Sequence, residues 1–127
     1  MPQTGIAAGT PIAFVYVHDR ERALGFYRDL LGLALHSSDP YGDFLTMNGG
    51  LLRITVIPDH VPSPHPAVGW DVADIVAVAK ALEAGGVALS RFEGMGQDEL
   101  GITTMPDGDK MAFFADPDGN ALMLTQM

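Results

Sequence analysis

Few residues in this chain could do chemistry. Four histidines, His18, His36, His60 and His65, are spread along it, and there is no cysteine. The missing cysteine removes disulfides, thiolate metal sites and cysteine nucleophiles together. No Ser-His-Asp order is legible. His60 and His65 sit where two imidazoles could meet on a metal, but they lie in Pro58-Asp59-His60-Val61-Pro62-Ser63-Pro64-His65-Pro66, whose composition predicts exposed loop residues. His18 precedes a helix cap. His36 ends a predicted strand close to Tyr41 and is kept as a pocket contributor. Gly94-Met95-Gly96-Gln97 lacks the spacing of a dinucleotide fingerprint, and no helix follows it. With Asp98, Glu99 and Leu100 it reads as a mobile loop that forms a flap.

The elements that must position these groups come in a repeated order. Ile12 to Val17 is β-branched and aromatic and predicts a strand. Asp19 caps a helix whose stripe of Leu24, Tyr27 and Leu31 runs to Gly32, with Gly25 as a cost inside it. Leu33 to His36, Asp43 to Met47 and Leu51 to Ile57 predict three further strands, separated by turn residues. Four prolines in nine residues then make 58–66 a linker. Beyond it the pattern restarts. Trp70-x-Val72-x-Asp74 repeats Val15-x-Val17-x-Asp19 at a shift of 55 positions, and Ile75, Val78 and Leu82 form a second helical stripe ended by Gly85-Gly86. Val87 to Phe92 and a terminal hairpin around Asp116-Pro117-Asp118-Gly119-Asn120 supply three more strands. Two βαβββ modules follow, about 11–57 and 67–127. Neither could bury its apolar face alone, so the expectation is one α+β domain over 1–127 with a single eight-stranded mixed sheet.

Side chains alternate along a strand, which divides each strand between a helix-packed face and another face. Val15, Val17, Leu52, Ile54, Trp70, Val72, Leu122 and Leu124 suit the helices. The opposite face then receives Phe14, Tyr16, Arg53, Thr55, Asp71, Met123 and Thr125. Aromatic and apolar surface with a few polar groups is the usual lining of a small-molecule site. The alternative is that Arg53 and Asp71 pair with each other and the aromatics only fill space. Met95, Met105, Met111 and Met123 would suit an adaptable pocket or a core equally well.

The paired modules, the helix Asp19-Arg20-Glu21-Arg22-Ala23-Leu24-Gly25-Phe26-Tyr27-Arg28-Asp29-Leu30-Leu31-Gly32 and the DPDGN turn together resemble the vicinal oxygen chelate superfamily, the group of glyoxalases, bleomycin-resistance proteins and extradiol dioxygenases. The resemblance covers nearly the whole chain. It implies a U-shaped sheet around a cleft with helices outside, a homodimer, and small-molecule chemistry or binding within. It also implies divalent-metal ligands at four inner-strand positions, which here fall about on Ile12, Thr55, Ala67 and Met123. None is a good ligand for a hard or borderline cation. The expectation is therefore binding without metal or other cofactor.

A formal charge of -9, with only seven Lys and Arg, argues against nucleic acid and anionic membrane as partners. No apolar stretch is long enough to span a bilayer, and the N-terminus lacks a basic region before an apolar run, which predicts a soluble cytoplasmic protein. The functional expectation is a small organic ligand held by Phe14, Tyr16, Arg53, Thr55, Asp71, Met123 and His36, as in antibiotic sequestration. The alternative is a lyase, isomerase or dioxygenase of the same superfamily. It would use a displaced metal site such as His36 and Asp71, or metal-free proton transfer by Asp71 or Tyr16.

Overall fold

The computed structural model describes residues 5–127, so the first four residues of the expected domain lie outside it. β1 (Ile12–Val17) buries Val15 and Val17 and turns Ile12, Phe14 and Tyr16 the other way. Asp19 then caps α1 (Arg20–Leu24), its carboxylate accepting the Arg22 N–H at 3.1 Å. That satisfies one of the donors a helix start leaves orphaned.

A regular helix was expected through to Gly32. From Gly25 to Leu30 the helix instead widens into a π turn, with the Leu31 N–H donating to the Phe26 carbonyl at 2.8 Å. The reason is in the packing. Ala23, Phe26 and Tyr27 are all buried, and the adjacent rings of Phe26 and Tyr27 must both reach the core. Gly32 closes the segment at φ +82°, in the region that favours glycine.

β2 (Leu35–Asp39), β3 (Gly42–Met47) and β4 (Gly50–Val56) complete a sheet of order β1-β4-β3-β2, in which only β1 and β4 are parallel. The second module repeats this. β5 (Val68–Asp71) leads to α2 (Ile75–Ala84), capped by Asp74. β6 (Thr103–Thr104), β7 (Lys110–Ala115) and β8 (Ala121–Gln126) follow, in the order β5-β8-β7-β6. All eight strands are present as two hydrogen-bonded sheets of four, with β1 lying alongside β5.

One strand lies elsewhere than expected. Val87 to Phe92 makes one backbone bond to a strand, Ser90 N–H to the Phe113 carbonyl at 2.6 Å, and the sheet edge is taken by Thr103–Thr104. The apolar character of 87–92 serves burial rather than pairing, since Leu89 is in the core.

The core is one cluster shared by both modules, running from Val15, Leu52 and Ile54 through Tyr27 and Ile75 to Phe114, Leu122 and Leu124. Three polar contacts hold the first helix in place, one of them Arg22 to Asp118 at 2.6 Å. Arg20 forms a bidentate pair with buried Asp43 on β3, at 2.8 and 3.0 Å. The Tyr27 hydroxyl donates to Asp116 at 2.7 Å, across 89 residues of sequence.

Candidate functional site

The face turned away from the helices is built in cross-strand rows. In the first sheet Phe14, Arg53 and Phe44 stand abreast on β1, β4 and β3, and Tyr16 stands beside Thr55. In the second, Gly69, Met123 and Phe113 form one row, and Asp71, Thr125 and Met111 the next. Phe14 and Tyr16 are 54% and 41% exposed, so a ligand could reach their rings. The sequence division of the strands holds: Val15, Val17, Leu52, Ile54, Leu122 and Leu124 are buried under the helices.

Arg53 is the best-fixed polar group on this face. It is 9% exposed, and its guanidinium lies 4.7 Å from the Phe44 ring centroid. It grips Asp39 through two bonds, at 2.8 and 3.0 Å, and donates to the Thr55 hydroxyl at 3.1 Å. Such planar two-point contact is what a guanidinium does best. The Arg53 hydrogen bonds, with the Tyr41 N–H, bring the Asp39 carboxyl down to about 2. The partner is thus Asp39, not the Asp71 that the alternative reading paired with Arg53. Asp71 belongs to the second module, where it is exposed and accepts the Thr125 hydroxyl at 2.9 Å and the Met127 N–H at 3.0 Å.

His36 stands apart. It is exposed, at an irregularity where β2 slips register between Leu35 and Ser37, on the strand furthest from β1 in its sheet. The expected flap is also placed elsewhere. Asp98, Glu99 and Leu100 share a surface hollow with Val76, Lys80 and Glu83 of α2, on the helix side. Arg91 pins that loop through the carbonyls of Asp98 and Glu99, and the Gln97 amide bonds Ser90 and Gly101. Phe92, edge-on to Phe113 at 5.5 Å, reaches round to the open face.

The linker contributes what sequence reasoning placed in solvent. His65 is exposed, but His60 is half-buried, its ring tilted against Tyr16 with centroids 5.4 Å apart. The two histidines, Ser63, Phe14, Tyr16 and Ala67 line a hollow of about 130 Å³. Asn120 fixes its floor. Its side-chain amide donates to the Tyr16 carbonyl and to Asp116, and its oxygen faces His60 Nε2 at 3.1 Å, so that nitrogen carries the hydrogen. Asn120 was legible as a turn residue, while the docking of the linker had no signal in local composition.

The four positions at which the resemblance implies metal ligands do not fit a cation. Ile12 and Ala67 offer no donor and Met123 only a thioether. The Thr55 hydroxyl is already engaged by the Arg53 guanidinium, whose charge would repel an ion beside it. Among the described residues, no three His, Asp or Glu side chains are grouped so as to hold one.

Residues 10–124 match the family model described as Glyoxalase/Bleomycin resistance protein/Dioxygenase superfamily. No curated protein matches the chain. Solved structures do. A glyoxalase/bleomycin resistance protein from Catenulispora acidiphila is 25% identical over 93% of this chain and 97% of its own, with a TM-score of 0.71. A bleomycin resistance determinant encoded on the transposon Tn5 is 18% identical over 94% and 98%, with a TM-score of 0.72. Lactoylglutathione lyase from Agrobacterium tumefaciens is 16% identical over 94% and 93%, also at 0.72. The last two establish likeness of fold alone.

Proposed function

The chain belongs to the glyoxalase/bleomycin resistance protein/dioxygenase superfamily, and from that premise we propose that it binds a small organic molecule on its open face without a metal. One observation carries the reading. The residues that the resemblance sets at about the superfamily's ion-holding positions are Ile12, Thr55, Ala67 and Met123, and the single hydroxyl among them is bonded to Arg53. The same face offers exposed rings, Phe14 and Tyr16, beside an anchored cation. Aromatic walls with a few fixed polar groups favour a planar ligand with one polar end. Phe14 and Tyr16 stack on its body, Arg53 and Thr55 orient its polar end, and Met123 adapts to its shape. Asp71 and Thr125 extend the site along the second sheet. The protein would act in the cytoplasm as a homodimer, sequestering an antibiotic-like or other small molecule.

Thermal unfolding of chelator-treated protein with excess Zn²⁺, Ni²⁺, Mn²⁺ or Fe²⁺ tests this. A ligand specific for the folded state stabilises by about 2.7 kcal/mol at a hundred times its dissociation constant, a shift of several degrees. The expected result is no shift with any of the four. A reproducible shift that disappears in Asp71→Asn or His36→Ala would overturn the metal-free reading.

A further inference from the structure

On the helix side of the second sheet, away from the open face, lies a cavity of about 180 Å³. Leu31 and Leu33 border it from the end of the first helix, Val78 from α2, and Trp70, Val72 and Phe114 from the sheet, with two further leucines behind. No charged side chain lines it, and the indole nitrogen of Trp70 is the one polar side-chain atom among its lining residues. The space is open on one side, and water entering it finds little on the walls to bond to, so an apolar group displaces it at little loss. An apolar space of roughly 150 Å³ accepts benzene, so this one matches a single ring in size.

Access and construction point the same way. Leu31, Leu33, Trp70, Val72 and Val78 are half-buried rather than sealed, which leaves an entrance. The rim is set by the π turn, since Leu31 and Leu33 follow it and their N–H groups bond back to Phe26 and Tyr27 at 2.8 and 3.1 Å. π turns recur at functional sites because they trade good hydrogen-bond geometry for placement. Interiors are otherwise packed to crystal density.

We infer that this cavity is a second binding site, separate from the open face, for a single uncharged aromatic ring such as toluene. Trp70 is the only tryptophan in the chain, so its emission reports on occupancy. Toluene is expected to change that emission saturably and to raise the thermal midpoint. Benzoate at the same concentrations should do neither, because its carboxylate would lose water and gain no partner. Val78→Phe and Leu33→Phe each place a ring in the cavity from a different element, so one remains informative if the other misfolds. Either should weaken the toluene response by about tenfold or more. No saturable response in the unmodified protein would overturn the inference. So would a response kept in both filled variants and lost in Phe14→Ala, which would put toluene on the open face.

Discussion

At the scale of single residues, Arg53 and Asp39 decide what the open face can offer. Arg53 was legible as a candidate because it breaks the apolar alternation of β4. Asp39 was legible only as a turn residue, and it is one, its carboxylate also accepting the N–H groups of Tyr41 and Gly42. What composition could not give was which of sixteen carboxylates would meet the guanidinium, since that depends on β2 folding back across β3. The pair has a consequence for acid stability. The Asp39 carboxyl falls from an ordinary 3.8 to about 2 in the folded protein. A depressed carboxyl stabilises above its unfolded value, and the contribution is lost as pH falls through the folded one. The stability gap between wild type and Arg53→Met is therefore expected to be constant above about pH 5 and to narrow as pH falls from 3.8 towards 2. Urea unfolding across that range measures it. A gap that is flat or widens on acidification would show that the pair does not set Asp39.

At the scale of elements, the repeat made the fold readable. Two strand-to-cap patterns in step placed both helices and all but one of the strands near their observed positions. The misplaced strand, 87–92, was misread because local hydrophobicity does not distinguish a strand from a loop that drops Leu89 into the core. The π turn was invisible for a related reason: its stripe has ordinary helical spacing, and its widening answers to Phe114 and Asp116, which arrive from the far end of the chain. Tyr27 is fully buried, and its hydroxyl, held above its ordinary range by burial and then by Asp116, remains a donor. Tyr27→Phe leaves one Asp116 oxygen with fewer partners and should cost about 1–3 kcal/mol, measured by denaturant unfolding. Two glycines should respond oppositely. Gly25 has right-handed helical φ and ψ with open space at its Cβ, so Gly25→Ala should stabilise by about 0.5–1 kcal/mol. A Cβ on Gly42 would lie 1.9 Å from the Ile54 carbonyl oxygen, so Gly42→Ala should be strongly destabilising. Equal effects at the two positions would contradict this local geometry.

At the scale of the whole molecule, a single copy leaves the first-sheet half of its proposed site shallow. Ile12, Phe14 and Tyr16 form a row along β1, each at least 41% exposed. Nearby, the hollow between β1 and the linker holds about 130 Å³, less than the roughly 300–1,000 Å³ of sites for drug-sized molecules, while Met111 and Thr125 of the second sheet line a wider hollow of about 430 Å³. A contiguous apolar face of this kind is rarely left in water by a monomer. A second copy related by a two-fold axis would cover it with the same surface and would raise walls around the shallow hollow. Sedimentation equilibrium is therefore expected to give twice the chain mass, with a thermal midpoint that rises with protein concentration, as mass action requires of a dimer. Phe14→Asp puts a charge at the middle of the row, which a second copy walling the face would have to take out of water. It should shift the protein to monomer while leaving the helix-side core, and hence the Trp70 emission, unchanged. A wild-type protein that sediments as a monomer at high concentration would mean that the open face works uncovered, and that its ligand is held by one sheet face rather than enclosed between two.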